Sequence, residues 1–229
     1  MKTGIAKYII FTIVFVYSSL WIVINLSLSS LGQEKFPVTV VEDHGVQQLI
    51  SDKTGVNIEN IKISESPHPF GMMVGIPTRP QLILSRGLYD AFTPDEMEYV
   101  VIHEAGHYAL WHGVKEFVAG LILFMVGIYI LRKVVDVRKF LVYSILLGLF
   151  FGILMVQLGK AHELQADNYT VKRMENPTGM IEATKKFRDY HGKKYSQATN
   201  PLIKFMFYRA NPYDNRIKMA QEEIDLRAK

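Results

Sequence analysis

The chain has 229 residues, 49% of them hydrophobic, and a formal net charge of +4. This composition excludes an intrinsically disordered chain and a collagen-like repeat. The absence of cysteine excludes disulfide frameworks, cysteine-ligated zinc, iron–sulfur clusters and thiol nucleophiles. The charge is segregated into −5 over residues 32–115 and +5 over residues 160–229, without a basic run that carries interleaved aromatic residues, so no nucleic-acid partner is expected.

Three apolar stretches without charged residues lie at 8–33, 117–131 and 140–159. A membrane-spanning helix needs about 17–25 apolar residues, a length that the first and third stretches reach. The second reaches it if its helix extends back through Val114 and the Lys115 ammonium is directed to the membrane surface. We therefore predict an N-terminal transmembrane helix over residues 1–33 and a membrane helical hairpin over 115–159. The alternative is a hydrophobic hairpin that is buried in a soluble core or enters one leaflet.

The first stretch also resembles a secretory signal peptide, because Lys2 and Lys7 precede its apolar run and serines end it. The run is long for the core of a signal peptide, and no A-x-A cleavage site follows it. We therefore expect a retained signal anchor, which makes the chain a multi-pass membrane protein with about three helices in the bilayer.

The polar segments contain short elements. The pattern predicts a helix that ends at Gly55, a strand near Ile58–Ile63, and a hairpin of two strands at 71–76 and 81–85. Thr93-Pro94-Asp95-Glu96 combines an N-cap threonine, a first-turn proline and a glutamate three residues after the cap, which is a strong helix start.

The third apolar stretch is expected to continue as a helix through Lys160–Met174 and to stop near Asn176-Pro177. Two or three basic helices are expected after it.

The helix that starts at Thr93 contains His103-Glu104-Ala105-Gly106-His107, an H-E-x-x-H pattern. Residues at i and i+4 share a helix face, so both imidazoles can reach one metal ion. Glu104 lies beside them and can take a proton from a water that attacks a carbonyl. The alternative is two surface histidines with an ion pair at i, i+4 spacing.

A catalytic zinc site takes three protein ligands and leaves one position open. The metzincin pattern would need glycine and histidine where this chain has Leu110 and Gly113. His112 is nine residues after His103, half a turn away on a continuous helix, so it cannot reach the metal from the same face. We expect it to have a structural role or to contact a metal ligand without binding the metal itself.

A glutamate from a second helix is the other route to a third ligand. Glu163 and Asp167 stand at i, i+4 spacing, so Glu163 can bind zinc while Asp167 orients a ligating histidine through its second ring nitrogen. His162 is a rival ligand, although its side chain points about 100° away from that of Glu163.

The arrangement resembles the HtpX-like integral-membrane zinc metallopeptidases, a group that includes the CAAX prenyl proteases. The two metal-binding motifs flank the membrane hairpin, and this combination is specific to the group. The matching segments are Ser85–Leu88, Thr93–Glu96, Val100–His107, Glu163–Asp167, Asn211-Pro212 and Arg216-Ile217.

The resemblance implies a mainly α fold with a small β hairpin or sheet, in which a zincin-like metallopeptidase domain at 34–229 is interrupted by the hairpin at 115–159. It implies one Zn²⁺ per chain, with the metal ligands His103, His107 and Glu163. Glu104 is then the general base, and Arg216 is the catalytic donor that stabilises the tetrahedral oxyanion.

A polypeptide substrate, including membrane proteins, and a role in membrane or envelope protein quality control are also implied. Nothing in the sequence indicates an oligomeric state. We further expect the strand near Met72–Ile76 to pair with an extended substrate peptide. Two alternatives stay open, namely a non-catalytic membrane protein with a structural zinc site and a prenyl-protein-type peptidase.

The chain departs from the family pattern in two ways. Asn211 stands where the family has a late histidine, which puts any oxyanion or substrate role of that position in doubt. One N-terminal span replaces the usual two, and this difference can invert the orientation of the chain in the membrane. The resemblance by itself implies a cytoplasmic active site. The basic residues of the N-terminus and of the loop 132–139 instead predict that those segments face the cytoplasm and that the active site is extracytoplasmic.

Overall fold

A computed structural model describes Ile9, Phe11, Ile13 and the ranges 36–76, 78–195 and 212–229, with backbone alone at 191–195. Apart from those first three residues, the helix predicted within 1–33 lies outside the described part of the chain, as does Asn211.

Within the described residues the chain forms a small sheet and several helices. The strands are β1 (Val38–Val41), β2 (Ile61–Ser64), β3 (Gly71–Ile76) and β4 (Arg79–Ser85). The helices are α1 (His44–Thr54), α2 (Arg86–Ala91), α3 (Pro94–Ala109), α4 (His112–Leu131), α5 (Val137–Val171), α6 (Thr178–Tyr195) and α7 (Tyr213–Arg227).

The four strands lie in the order β1-β2-β4-β3. β2 pairs with β4 in parallel, and the other two pairs are antiparallel. The predicted hairpin is confirmed as β3 and β4, but β4 begins at Arg79 rather than at residue 81, so the turn is tighter than expected. The strand expected near Ile58–Ile63 begins only at Ile61. Among the described strands, β3 and β1 form the two edges of the sheet.

The start of α3 is the predicted capping box. The Thr93 hydroxyl accepts from the Glu96 N–H, and the Glu96 carboxylate accepts from the Thr93 N–H. Both bonds satisfy N–H groups that a helix start leaves without partners. The helix ends at Ala109, and Trp111 has a φ of 58°, in the left-handed region, so the chain turns before α4 begins.

The polar segments on either side of the apolar helical hairpin, up to Gly113 and again from Ala161, form one compact unit. Its core joins the inward face of the sheet to α3, α6 and α7. Fully buried members include Ile61, Leu82, Val101, Ile102 and Met180. This core holds α3 rigidly, since its buried residues precede and follow His103.

Residues Val114–Lys160 belong to a second unit, the helical hairpin. Two described helices, α4 and α5, are long and apolar enough to cross a membrane. Their apolar side chains are widely exposed, for example Phe117 at 72%, which suits lipid contact better than burial in a soluble core. Phe11 stacks on Phe124 at 5.6 Å in this unit. The predicted fold class is confirmed, although α5 ends at Val171, three residues before the expected Met174.

Candidate metal centre

The first two donors of the site come from α3. His103 and His107 are one helical turn apart, and their Nε2 atoms lie 3.3 Å from each other. Glu163 reaches the same point from α5, with Oε2 3.5 Å from the His103 Nε2 and Oε1 3.6 Å from the His107 Nε2. The donor atoms of these three residues all lie within 4.8 Å of one another.

These separations fit a tetrahedral zinc ion. With metal–ligand distances of about 2.0–2.2 Å, neighbouring ligand atoms of a tetrahedron are about 3.3–3.6 Å apart. Two imidazole nitrogens and one carboxylate are also the donor set of catalytic zinc sites that leave a fourth position open. The residues present therefore fit the ion.

Asp167 lies one turn after Glu163 on α5 and contacts the first histidine of the site. Its carboxylate is fully buried, and its Oδ1 lies 3.0 Å from the His103 Nδ1. The Tyr99 hydroxyl donates to the same oxygen at 3.1 Å. A ligating histidine is oriented by such a partner on its second nitrogen, which is the part that the sequence predicted for Asp167.

Arg216 of α7 joins the two carboxylates of α5. Its Nε donates to the Asp167 Oδ2 at 2.9 Å, and its Nη2 donates to the Glu163 Oε2 at 3.3 Å. The guanidinium is thus turned toward these carboxylates, which positions Glu163. The oxyanion role of Arg216 stays a prediction.

His112 contacts the second histidine of the site. Its Nδ1 is 2.9 Å from the Nδ1 of His107, and its Nε2 is 3.2 Å from the Oε1 of Gln165. The expectation that His112 lies half a turn from His103 was wrong, because α3 ends at Ala109 and the chain reverses at Trp111 before α4 begins.

The rival ligand His162 is placed differently from Glu163. Its ring stacks on that of His112, with centroids 4.2 Å apart and planes within 3°. Within the described residues, the group of donors close enough to share a metal ion is His103, His107 and Glu163, without His162.

Glu104 follows His103 on α3. Burial, helped by the nearby Glu163, raises the pKa of Glu104 to about 7, against the opposing charges of His103 and Arg216 and a hydrogen bond from the Met73 N–H. A pKa near neutrality suits a group that must both accept and return a proton.

The site has an excess of negative charge. Burial opposes protonation of His103, but Asp167, Glu163 and Glu104 outweigh it and raise the His103 pKa to about 10. In the form that can bind a metal, with both histidines neutral and all three carboxylates ionised, these groups and the guanidinium of Arg216 carry a formal charge of −2. A divalent cation would balance that charge.

Two contacts of the site were not foreseen from the sequence. Tyr99 stands four residues before His103 on the same helix face, so helical spacing contained a signal for it. Gln165 gave no such signal, because its contact with His112 depends on the turn at Trp111.

Comparison with known proteins agrees with this geometry. The model of Peptidase family M48 matches residues 43–224. No curated protein matches the chain by sequence. Among solved structures, the crystal structure of S. mikatae Ste24p is similar, with a TM-score of 0.64 and 16% identity.

That similarity covers 94% of this chain and 57% of the Ste24p chain, so the present chain spans little more than half of Ste24p's length. At 16% identity it shows a shared fold. The fold and the two apolar helices support a membrane protein. Because the family model matches most of the sequence, the chain belongs to Peptidase family M48, a family of metallopeptidases.

Proposed function

We propose that the chain is a membrane-bound zinc metalloendopeptidase with one Zn²⁺ held by His103, His107 and Glu163. The observation that carries this proposal is the convergence of three donor atoms from α3 and α5 at tetrahedral separations. The second observation is Glu104, a carboxyl with a pKa near neutrality beside those donors.

When bound, zinc supplies a Lewis acid that polarises the scissile carbonyl and makes water more acidic. Glu104 would take the proton of the attacking water and return it to the leaving amine. Arg216 and Asp167 would keep Glu163 and His103 in place through the reaction. Asp167 and Arg216 would thus act through the ligands, and the oxyanion role predicted for Arg216 is a separate possibility that its substitution tests.

The substrate would bind as an extended strand along β3, the sheet edge beside α3. The Met73 N–H of β3 lowers the pKa of Glu104, which supports placing this edge next to the proposed proton acceptor. Main-chain pairing of this type binds polypeptides with little regard to sequence. It suits degradation of many unfolded chains, as in membrane or envelope protein quality control.

We further propose the organisation predicted from the sequence, with an N-terminal anchor at 1–33 and a peptidase domain at 34–229 whose membrane hairpin occupies 115–159. The active site would be extracytoplasmic, because the loop at 132–139 is strongly basic.

The cysteine-free chain allows a direct test of this orientation with single cysteines at Ser51 and Lys133. A membrane-impermeant maleimide on intact cells should label Ser51→Cys and spare Lys133→Cys.

The proposed activity is tested by degradation of an unfolded model protein by the detergent-purified chain. Glu104→Gln keeps the size of the side chain and removes its basicity, and Glu59→Gln is a matched exposed control. We expect the wild type and Glu59→Gln to cleave, a chelator to stop both, and Glu104→Gln to retain zinc without cleaving. If all three retain zinc and none cleaves, a structural zinc site replaces this proposal.

A further inference from the structure

Helix α3 and strand β3 run side by side with matching repeats. Val100, Glu104 and Tyr108 are four residues apart on one helix face, a spacing of about 6 Å. Every second residue of a strand advances about 6.6 Å, so one helix step corresponds to one two-residue step of β3. A Cβ added at Gly71 would lie 2.8 Å from the Val100 Cγ1. Gly71 of β3 therefore lies next to Val100 of α3.

The next two steps are polar contacts. The Met73 N–H faces the Glu104 carboxylate closely enough to lower the pKa of that group. The Tyr108 hydroxyl donates to the Gly75 carbonyl at 2.5 Å. Tyr108 therefore occupies the position one step beyond the proton acceptor, along the direction in which an extended peptide would lie.

The pairing register shows which β3 groups face the open edge. The Ser85 N–H donates to the Phe70 carbonyl, so residue 70 and every second residue after it face β4. Residues 71, 73 and 75 consequently turn their N–H and C=O groups away from β4. Pro80, which has no N–H, stands opposite Gly75 and agrees with this assignment.

Gly75 occupies a turn position that only glycine fits. It has a φ of 100°, and a Cβ there would lie 2.5 Å from the Arg79 carbonyl oxygen. The carbonyl that Tyr108 caps therefore belongs to a required turn at the end of β3.

We propose that Tyr108 is a specificity-determining residue that ends the peptide-binding edge of β3 at Gly75. Its hydroxyl occupies the carbonyl that would otherwise accept an N–H of the substrate, so substrate residues beyond Met73 add no main-chain pairing. The proposal rests on the proposed peptidase activity and on binding along β3. It predicts a short, defined length of substrate that contributes to recognition on one side of the cleaved bond.

A ladder of fluorogenic peptides tests this. Each peptide is extended by two residues at one end or the other, and kcat/KM is measured for the wild type, Tyr108→Phe and the control Tyr89→Phe, whose hydroxyl donates to Asp43 away from the site. In the wild type and Tyr89→Phe, kcat/KM should stop rising once the bound peptide is long enough to pair with Met73 of β3. In Tyr108→Phe, kcat/KM should rise about fivefold more when the peptide is extended by two further residues at one of its ends, because one main-chain hydrogen bond is added.

Identical length profiles for the wild type and a folded Tyr108→Phe would overturn the proposal. If the wild type cleaves no peptide of any length, the proposed peptidase function fails instead, and the two failures are distinguished.

A second measurement needs no variant. Replacing single substrate amides by esters in wild-type assays should lower kcat/KM at the amide that pairs with Met73 and leave it unchanged at the amide two residues further. A loss of about fivefold at both amides would show that Gly75 is open to substrate and would refute the role of Tyr108.

Discussion

The Nε of Arg216 lies 2.9 Å from the Oδ2 of Asp167, a carboxylate with no exposed surface. The same guanidinium donates from Nη2 to Glu163, one helical turn earlier. A planar fork with fixed donor directions can serve both acceptors at once, whereas a lysine ammonium is a point charge on a flexible stem. Arg216 therefore bridges the proposed metal ligand Glu163 and the carboxylate that lies beside the His103 Nδ1.

Arg216→Lys should weaken zinc binding. Groups that orient metal ligands commonly contribute about 10–100-fold in affinity, and we expect a loss in that range by competition with a chromogenic chelator. Arg188→Lys is the matched control, because Arg188 pairs with Asp214 on the surface at 3.7 Å. If zinc affinity were unchanged and kcat alone fell, Arg216 would act on the oxyanion instead.

His112 and His162 should differ in their effect on zinc. His112→Phe keeps the ring stack but removes the nitrogen that faces His107, so zinc affinity should fall by about 10-fold or more. His162→Phe also keeps the stack and should leave affinity within about threefold, since Glu163 supplies the third ligand. A large loss from His162→Phe alone would make His162 the ligand.

Gly87 tests the packing of the first turn of α2 against the loop between β2 and β3. A Cβ at Gly87 would lie 2.0 Å from the Pro67 carbonyl oxygen, so the backbone must shift to admit it. Gly87→Ala should destabilise the protein by about 3 kcal/mol or more. Gly113→Ala is the control, because a Cβ there meets nothing within 4 Å, and it should be neutral or stabilising by about 0.5–1 kcal/mol. Thermal unfolding in detergent, followed by circular dichroism, measures both.

Glu98 predicts a dependence of stability on pH. Burial, helped by the nearby Glu175 and Asp95 carboxylates, raises the Glu98 pKa despite the Glu175 N–H and Lys53. A raised folded-state pKa means that the folded protein binds this proton more tightly, so the stabilisation is complete below the unfolded value of 4.5 and is lost as pH rises through the folded value.

Glu98→Gln carries no such proton. The difference in melting temperature between Glu98→Gln and the wild type should therefore grow in favour of the variant as pH rises above about 4.5 and then level off. Glu59→Gln, at an exposed position, is measured in parallel as the control. A constant difference for Glu98→Gln across the range would contradict the raised pKa.

Much of the candidate site could be predicted because it follows helical spacing. His103 and His107 share a face by sequence separation alone, and so do Glu163 and Asp167. The capping box at Thr93 predicted where α3 begins, and its boundary agrees with the structure. The functional roles of these residues remain predictions that the experiments above address.

Other contacts depend on geometry that spacing does not contain. Arg216 and Asp167 are 49 residues apart, and their contact requires the packing of α7 on the rest of the core. The approach of His112 to His107 requires the positive φ of Trp111, which a tryptophan rarely adopts. Strand β1 was not predicted, because its four residues, three of them exposed, show little alternation.

The separation of the two metal-binding helices along the chain has a consequence for biosynthesis. Ribosomes deliver α3 first, then the whole membrane hairpin, and only afterwards Glu163 and the segment that contains Arg216. A nascent chain therefore carries two histidines without their carboxylate partner for as long as the hairpin is being made. On the proposed ligand set, the metal site is complete only after the hairpin and most of the remaining chain have been synthesised.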